Sequence, residues 1–358
     1  SKWINSFRDL PVLINQWANI VRWELRTRPF LRTTEFLWQE GHTAHATESE
    51  ADQMTLDMLD VYAKFTEEYL AIPVIKGKKS ESEKFAGAVY TTSIEAMMQD
   101  GKALQCGTSH MLGQNFAKPF NVKYLSSEGK EEYVWQTSWG ISTRIIGALI
   151  MAHSDDVGLV LPPKIAPIQV VIIPITKEDS SESAEMRKAI EIQKTLRDAG
   201  IRTEVDQSEG RPGAKYFAWE RQGVPIRLEL GPRDLEKDQV ITVRRDNGEK
   251  QELAIAELAK SLGITLQEIQ EALYDKALKF LEERTFEVTS YEELKDIFDK
   301  GNAFVYADWC ATDECEKKVQ EETGATTRCI PFDQKPKSDK CAICGKNAKV
   351  RVIFDKAY

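Results

Sequence analysis

The sequence of 358 residues has no long apolar run, so we expect no membrane insertion. Its longest apolar stretches, residues 145–151 and 170–174, fall far short of the roughly 20 residues that a bilayer-crossing helix needs. The first residues also lack the basic, apolar and small-residue zones of a signal peptide, which favours a cytosolic location. Internal repeats and low-complexity tracts are absent as well. With 42% hydrophobic and 29% charged residues, the chain can bury a large core and should divide into two or three domains.

Positive charge is not in excess, since the net charge of the chain is −9. Taken over the whole chain, this balance argues against a nucleic-acid partner. One stretch of 35 residues nevertheless concentrates basic side chains. Among them are Arg211, Lys215, Arg221, Arg227, Arg233, Arg244 and Arg245. The stretch is either a solvated surface of mixed charge or a local patch for a polyanion, and the composition leaves both interpretations open.

Cysteine is scarce, with six in the chain, and four of the six form two closely spaced pairs. The pairs are Cys310 with Cys315, and Cys341 with Cys344. Thiolates at this spacing are typical of a tetrahedral Zn²⁺ site, and because four ligands leave no open position the zinc should be structural. This spacing also suits reduced thiols better than a disulfide framework. We expect Cys106 and Cys329 to be ordinary buried thiols.

Consecutive prolines at positions 162 and 163 mark a domain boundary, because proline is excluded from the interior of helices and sheets. Before them, strand patterns mix with helical patterns. After them, β-branched runs at 168–175 and 201–205 flank a helical pattern at 183–199 that stops at a glycine, which predicts a small α/β domain. The predicted domains are residues 1–162, 163–265 and 266–358.

Further periodic segments complete the predicted secondary structure. Strand patterns occur at 226–229 and 240–244, and a last strand at 350–354. Apolar residues at helical spacing predict a linking helix at 266–283. At the other end, the strand-like segment 14–25 has no capping element before it, so we expect the chain to begin inside a domain.

The segment with the most chemical information is a predicted hairpin formed by residues 21–25 and 30–42. Residues two apart on a strand share a face, so Arg22 and Glu24 should point the same way. The same spacing predicts a second row: Arg32, Thr34, Phe36, Trp38, Glu40 and His42. Such a row is either a polar outer face whose aromatic residues lie at interfaces, or a ligand platform. On a platform, arginines hold an oligophosphate, a carboxylate accepts from an adenine amine and an aromatic ring stacks.

Two later segments supply further polar side chains. Residues 105–110, with the sequence Gln-Cys-Gly-Thr-Ser-His, form a predicted short strand that ends in a turn. Residues 139–144 lead directly into the apolar helical segment 145–151, and Gly140, Ser142 and Arg144 share a face if extended. Either segment alone is a weak signal, because a buried histidine or a helix-starting serine is more often structural.

Together these segments resemble the signature elements of class II aminoacyl-tRNA synthetases. Residues 22–36, with Arg-x-Glu and then Arg-x-x-x-Phe, resemble the second class motif, and residues 140–144, with Gly-x-Ser-x-Arg, resemble the third. Residues 30–42, with 84–87 and 107–110, closely resemble prolyl-tRNA synthetases of the archaeal and eukaryotic type. The resemblance extends over essentially the whole chain.

The resemblance implies an α/β fold in three parts. They are an α+β catalytic domain with the antiparallel sheet of class II synthetases, an α/β anticodon-binding domain and a small α+β zinc-binding C-terminal domain. The implied activity is the activation of L-proline with ATP and Mg²⁺ to prolyl-adenylate, followed by transfer of the prolyl group to the 3′ end of tRNA(Pro). This chemistry needs no side-chain nucleophile, and Arg22 and Arg144 are the implied catalytic residues because they stabilise charge on the phosphoryl oxygens. The histidines are positioning groups rather than general bases.

The resemblance also implies individual roles. Arg22 would hold the α-phosphate and the proline carboxylate, Glu24 the adenine amine and Arg32 the distal phosphates. Phe36 and Arg144 would enclose the adenine ring. Further implied nucleotide contacts are Thr33, Gln105, Thr108 and Ser142. The implied proline pocket consists of Arg22, Trp38, Glu40, His42, Phe85 and His110. The implied anticodon contacts are Tyr216, Glu220, Arg227 and Arg233.

Members of this family carry the first class motif and a Thr-x-Glu loop ahead of the position that matches residue 1. We therefore expect a longer parent protein, which the first motif would assemble into a homodimer. About 100 residues separate Trp38 from Ser142, too few for an inserted editing domain, so no cis-editing is predicted. Two alternatives stay open: another class II synthetase, such as threonyl or histidyl, and a non-catalytic relative that binds tRNA. The amino acid that is activated would distinguish the first alternative from a prolyl enzyme. The presence of Arg22, Glu24, Arg32 and Arg144 argues against the second, because a non-catalytic relative has no need for a complete phosphate- and adenine-binding set.

Overall fold

The computed structural model describes residues 2–176 and 183–358. The chain divides into two compact units, called here the core unit and the second unit. The core unit consists of Ser1–Glu67, Pro73–Ala148 and Lys279–Tyr358, and the second unit of Glu68–Ile72 and Leu149–Leu278. Within the described part of the chain, no helix combines the length and the apolar content that crossing a membrane requires.

The secondary structure mixes long strands with amphipathic helices. In the described residues the strands are β1 Val12–Val21, β2 Glu35–His45, β3 Ile75–Lys78, β4 Tyr90–Met97, β5 Ala103–Gly113, β6 Lys123–Leu125, β7 Glu131–Tyr133, β8 Trp135–Ser142, β9 Val170–Pro174, β10 Thr203–Val205, β11 Ile226–Leu230, β12 Gln239–Arg244, β13 Lys250–Ala254, β14 Thr285–Val288, β15 Phe304–Trp309, β16 Thr326–Pro331 and β17 Val350–Asp355. The helices are α1 Glu48–Lys64, α2 Arg144–His153, α3 Ala184–Asp198, α4 Pro212–Arg221, α5 Pro232–Glu236, α6 Leu258–Glu283, α7 Tyr291–Lys300 and α8 Asp313–Thr323. Short 3₁₀ segments lie at Phe7–Asp9 and Ile255–Glu257, and a π-helical turn lies at Phe65–Tyr69.

One ten-stranded sheet organises the core unit. Its strand order is β1-β2-β8-β5-β4-β3-β16-β17-β15-β14, and its neighbours are antiparallel except β14 with β15. The strands of the C-terminal segment join this sheet where Ile330 of β16 lies opposite Lys78 of β3. The predicted antiparallel sheet is thus confirmed, and the C-terminal strands extend it.

The predicted hairpin forms, but its connection is longer than the sequence suggested. β1 ends at Val21 and β2 begins at Glu35, so residues 22–34 form a loop. Within it, Arg28 and Arg32 close a tight turn through reciprocal backbone hydrogen bonds of 2.6 and 3.0 Å. Because this turn interrupts the strand geometry, the predicted strand rows were wrong for the loop residues Arg22, Glu24, Arg32 and Thr34.

The other two polar segments lie in or beside long strands. Residues 105–110 were expected to end in a turn, but they occupy the middle of β5, which continues to Gly113 between β4 and β8. Pairing on both sides of β5 explains why the strand does not stop there. Residues 139–142 end β8, and α2 begins at Arg144, as the apolar helical pattern predicted.

Helix α1 packs against one face of the sheet and so determines which face can receive a ligand. The helix begins at a capping box in which Thr47 accepts from the Glu50 backbone N–H at 3.2 Å. Near its other end, the Tyr62 hydroxyl donates to Gln39 Oε1 at 2.6 Å. On the same face as Gln39, Gly41 leaves room for the Trp139 ring, which a Cβ at position 41 would approach to 2.0 Å. The intervening residues of β2 therefore point to the opposite face.

The second unit contains a mixed five-stranded sheet of order β10-β9-β11-β12-β13. Strands β10, β9 and β11 are parallel, while β12 and β13 pair antiparallel. The predicted strand–helix–strand pattern is confirmed by β9, α3 and β10: Ser183 caps α3 by accepting from the Met186 N–H at 3.0 Å, and Gly200 follows with a φ of 82°. Helix α6 begins at Leu258, eight residues earlier than predicted.

A buried ion network joins strand β4 to the C-terminal strand β16. Glu95 on β4 is completely buried, and its carboxylate accepts from Lys79 Nζ at 2.7 Å and from the Arg328 guanidinium at 3.0 Å. Ser93 is a third donor residue, whose hydroxyl donates to Glu95 at 2.8 Å. Burial opposes ionisation of Glu95, but the two cations and these hydrogen bonds outweigh it and hold the carboxyl pKa below its ordinary value.

We expect Glu95→Gln to lower the free energy of unfolding by about 3 to 5 kcal/mol at pH 7, because two buried cations lose the carboxylate that they share. The folded-state pKa of Glu95 lies below its ordinary value of 4.5, so its contribution is present above that pH and is lost as the pH falls. Urea unfolding at pH 7 and pH 4 measures both effects.

The matched control is Asp60→Asn, which breaks an exposed pair with Lys76 and should change the unfolding free energy by less than about 1 kcal/mol. Equal effects of the two substitutions would show that burial does not decide the strength of the Glu95 network.

Candidate active site

A cavity of about 740 Å³ lies along β2, β5 and β8 in the core unit. Its lining includes every residue that the sequence predicted for nucleotide and proline binding. They are Arg22, Glu24, Arg32, Thr33, Phe36, Trp38, Glu40, His42, Phe85, Gln105, Thr108, His110, Ser142 and Arg144. The fold therefore brings together residues that lie up to 122 positions apart in the chain.

Aromatic rings on β2 hold one of the arginines. Phe36 and Trp38 form an edge-to-face pair with ring centroids 5.9 Å apart. The guanidinium of Arg22 lies 5.1 Å from the Phe36 ring centroid and 5.7 Å from that of Trp38. Such cation–π contacts restrict the loop side chain without neutralising it, so Arg22 keeps its charge for a ligand.

Arg22, Arg32 and Arg144 form a cationic cluster at this cavity. Arg144 is anchored through its Nε, which donates to the backbone oxygen of Leu31 at 3.1 Å. Burial lowers the pKa of Arg144, and the positive charges of Arg32 and Arg22 lower it further. Because arginine remains protonated in proteins, an anion that contacts all three side chains would relieve their mutual repulsion.

The remaining nucleotide candidates lie on two strands and the loop. Glu24 and Thr33 belong to the 22–34 loop, where Glu24 Oε1 accepts from the Arg26 backbone N–H at 3.3 Å. Gln105 and Thr108 lie on β5. Ser142 ends β8, and its hydroxyl accepts from the Arg144 backbone N–H at 3.3 Å, so this serine also caps the start of α2.

Glu40 is the carboxylate in the polar row on β2. Glu40 Oε2 lies 3.2 Å from His42 Nε2 and accepts from Gln16 Nε2 at 3.1 Å. Gln16 was not predicted, although it lies directly opposite Glu40 in the β1–β2 register. The hairpin pattern could have identified it, had the turn between the strands been located correctly.

His110 on β5 and Phe85, in the segment between β3 and β4, form a second wall of the cavity. Their ring centroids are 5.0 Å apart. Burial lowers the pKa of His110 to about 4, so its imidazole is neutral near pH 7. Thr91 Oγ1 lies 2.9 Å from His110 Nδ1 and was also missed, because the pairing of β4 with β5 that brings it there has no local sequence signal.

Some polar atoms at the cavity have no protein partner among the described residues. Trp38 Nε1 and Gln136 Oε1 are both buried and unpaired there. Buried polar atoms normally carry hydrogen bonds, so these two are exceptions among the residues that line the cavity. Lys79 and Glu83 also line the cavity and were not predicted.

In the second unit, three of the four predicted anticodon residues form one contact network. Arg227 donates to Glu220 Oε1 at 2.6 Å and to Glu229 Oε1 at 2.9 Å. Its guanidinium also lies 4.2 Å from the ring centroid of Tyr216. The fourth, Arg233, is exposed in the first turn of α5 and joins none of these contacts among the described residues.

The basic stretch of the second unit is partly neutralised by carboxylates. Besides Arg227, three of its basic residues form ion pairs: Lys215 with Asp206, Arg244 with Asp246, and Arg245 with Asp155. The stretch is therefore a mixed-charge surface that still presents exposed arginines such as Arg233.

The four clustered cysteines meet at one point of the core unit. Their sulfur atoms all lie within 4.8 Å of one another, with Cys310 3.5 Å from Cys315 and 3.7 Å from Cys344. A tetrahedron of sulfurs around a metal with bonds of about 2.3 Å has edges of about 3.8 Å, so the donor set fits a tetrahedral thiophilic metal. The Cys341 turn is closed by hydrogen bonds from the Cys341 N–H to Lys346 and from the Gly345 N–H to Cys341.

Three family models match consecutive parts of the chain. Residues 1–153 match the tRNA synthetase class II core domain (G, H, P, S and T). Residues 169–263 match an anticodon binding domain, and residues 291–358 match the C-terminal domain of prolyl-tRNA synthetase.

Known proteins resemble the chain over its whole length. A proline–tRNA ligase of Chloroherpeton thalassium is 56% identical over an alignment of 366 residues that covers 100% of this chain and 75% of that protein. Proline–tRNA ligase 2 of Bacillus thuringiensis subsp. konkukian is 52% identical, with 100% and 74% covered. The crystal structure of prolyl-tRNA synthetase from Cryptosporidium parvum complexed with L-proline and AMP superposes with a TM-score of 0.95 at 45% identity, covering 100% of this chain and 75% of that one. On this evidence the chain belongs to the prolyl-tRNA synthetase family of class II aminoacyl-tRNA synthetases.

Proposed function

We propose that this protein activates L-proline with ATP to form prolyl-adenylate and pyrophosphate, and then transfers the prolyl group to the 3′ end of tRNA(Pro). The observation that carries the proposal is that three arginines, an aromatic pair and the carboxylate of Glu40 all line one cavity, in a chain of this family. Each of these groups matches one part of the two substrates.

We infer that the cationic cluster binds the ATP phosphates. Arg22 would bridge the α-phosphate and the proline carboxylate, and Arg32 would bind the distal phosphates of MgATP, where bidentate hydrogen bonds are available. Phe36 and Arg144 would enclose the adenine ring, while Glu24 accepts from its amine. The remaining nucleotide contacts would be Thr33, Gln105, Thr108 and Ser142.

Proline would bind beside the phosphates. Trp38, Phe85 and His110 provide ring surfaces for the pyrrolidine, and Glu40, supported by Gln16 and His42, provides negative charge for the imino group. Held in this way, the proline carboxylate attacks the α-phosphorus in line and pyrophosphate leaves. Arg22 and Arg144 stabilise the charge that develops on the phosphoryl oxygens, and no side-chain nucleophile takes part.

We also propose that the predicted segments 1–162, 163–265 and 266–358 act as catalytic, anticodon-binding and C-terminal domains. In the second of these, Tyr216, Glu220, Arg227 and Arg233 would contact the anticodon, because an arginine can pair with guanine and a ring can stack on an unpaired base.

The C-terminal cysteines would hold a structural Zn²⁺ with four thiolates and no open position. Assembly into a homodimer is supported by the apolar side chains that the edge strand β1 exposes, among them Trp17 at 82% and Val21 at 72%. A cytosolic location is supported by the six cysteines, none of which forms a disulfide.

Arg22→Ala should reduce proline-dependent ATP–pyrophosphate exchange by about 100-fold or more, because Arg22 stabilises charge on the reacting phosphate. The exchange is measured on the full-length protein with proline, threonine, histidine, alanine and cysteine in turn. The matched control is Arg8→Ala, an exposed arginine outside the cavity lining, which should leave the exchange unchanged.

Exchange with another of these amino acids would keep the fold and overturn the pocket assignment. No exchange with any of them would favour a tRNA-binding protein without catalytic activity.

Cys341→Ser should lower the bound zinc from about one atom per chain towards zero and reduce the unfolding temperature, because a structural site contributes directly to folding. Plasma emission spectrometry and calorimetry measure the two effects. Cys329→Ala is the control, since Cys329 is buried outside the cluster and its loss should leave the zinc content intact. Full zinc in Cys341→Ser would contradict the site.

Arg233→Ala should raise the KM for tRNA(Pro) in aminoacylation about tenfold while leaving proline-dependent pyrophosphate exchange unchanged, because losing one anticodon contact does not affect the activation step. Lys194→Ala, on the exposed side of α3, is the control. An unchanged KM in Arg233→Ala would remove this arginine from the proposed RNA-binding set.

A further inference from the structure

Thr91 connects two residues of the proposed proline pocket, Phe85 and His110, through one hydroxyl group. This residue lies on β4 directly opposite His110 on β5, and it is only 3% exposed. Its Oγ1 accepts the backbone N–H of Phe85 at 2.9 Å and lies 2.9 Å from His110 Nδ1. The rings of Phe85 and His110 are themselves in contact. One buried hydroxyl therefore contacts both the backbone of Phe85 and the ring of His110.

The hydrogen-bond inventory determines which nitrogen of His110 carries the proton. A neutral imidazole has one N–H and one acceptor nitrogen. If Nδ1–H donated to Thr91, the buried hydroxyl proton would need another acceptor, and the contacts of the described residues supply none. If the hydroxyl donates to Nδ1, the buried hydroxyl is fully paired, and the unpaired polar hydrogen is the Nε2–H of His110, whose ring lines the cavity. The second arrangement is therefore favoured, and it leaves the imidazole proton on Nε2.

This tautomer has a consequence for binding. With Nδ1 engaged by Thr91, the Nε2–H of His110 is the ring's remaining polar group, and the residue lines the cavity. A neutral imidazole in this state presents a hydrogen-bond donor to an acceptor on the substrate. Burial supports the neutral state, since it lowers the pKa of His110 to about 4. The other tautomer would present a lone pair to the same acceptor and repel it.

We propose that Thr91 is a positioning residue for proline binding, which holds His110 as the Nε2–H tautomer and keeps Phe85 against the same ring. The inference rests on the proposed function, because it takes the cavity wall of Phe85 and His110 to be the proline pocket. Thr91 also lines the cavity, and in this scheme it acts through these two residues.

The tautomer is read directly from the ¹⁵N chemical shifts of the histidine side chains in the ligand-free protein. The chain has only four histidines, so a His110→Asn variant suffices to assign the resonances of His110. We expect a protonated Nε2 and an unprotonated Nδ1 near pH 7 in the wild type and in Thr91→Ser. Thr91→Val, which keeps the shape and removes the hydroxyl, should show a mixture of tautomers. A protonated Nδ1 in the wild type would overturn the proposal.

The kinetic test separates positioning from general stability. Thr91→Val should raise the KM for proline about tenfold in pyrophosphate exchange, with the KM for ATP and kcat unchanged within about twofold. Thr91→Ser should restore the wild-type KM for proline. The matched control is Thr92→Val: this neighbouring hydroxyl is also buried, but it donates to the Ser109 carbonyl and does not line the cavity. Its loss should leave the KM for proline unchanged.

Each result decides a separate question. A rise of KM for proline in both valine variants, or no rise in Thr91→Val, would overturn the positioning role. If Thr91→Val does not fold, the wild-type spectrum and the kinetics of Thr91→Ser still test the positioning role of Thr91. A wild-type protein that activates no proline would overturn the proposed function alone, because the spectrum is recorded without substrate.

Discussion

The site depends on the pairing of β2 with two antiparallel neighbours, β1 and β8. This pairing fixes the alternation of faces along β2, so that Gln39 and Gly41 meet α1 and Trp139 while Trp38, Glu40 and His42 line the cavity. A shift of one residue in either register would exchange the two sets and move the charged row under the helix. Gly41 resists such a shift, because only a residue without a side chain fits beneath the Trp139 ring.

The positive charge at the site depends on whether each arginine is held by a carboxylate or by a neutral group. Carboxylates pair with the arginines of the second unit, whereas Arg22 is held mainly by ring faces and Arg144 by a backbone carbonyl. Neutral contacts fix the geometry of a guanidinium without reducing its charge. The cavity therefore presents positive charge that a bound anion would compensate.

The C-terminal segment belongs structurally to the same sheet as the proposed active site. Through Arg328 it supplies one of the two cations that neutralise Glu95, which lies completely buried among strands of the core unit. A buried carboxylate in this place is tolerable only with both cations present. Two of the clustered cysteines, Cys341 and Cys344, lie shortly before β17, so a metal bound there would also stabilise this part of the sheet.

The sequence by itself determined the residue types of the site, the cysteine ligand set and most of the regular elements, because apolar periodicity, helix caps and closely spaced motifs act over a few residues. It located α3, β9 and β17 closely, and through family resemblance it named fourteen of the residues that line the cavity. It misjudged where β1 ends, since the 22–34 loop keeps a strand-like alternation that only the Arg28–Arg32 turn interrupts. The contacts of Thr91 with His110, and of Glu95 with Arg328, were decided by tertiary structure alone. Strand register and the pairing of segments more than 200 residues apart depend on how the whole core packs, and no local pattern encodes them.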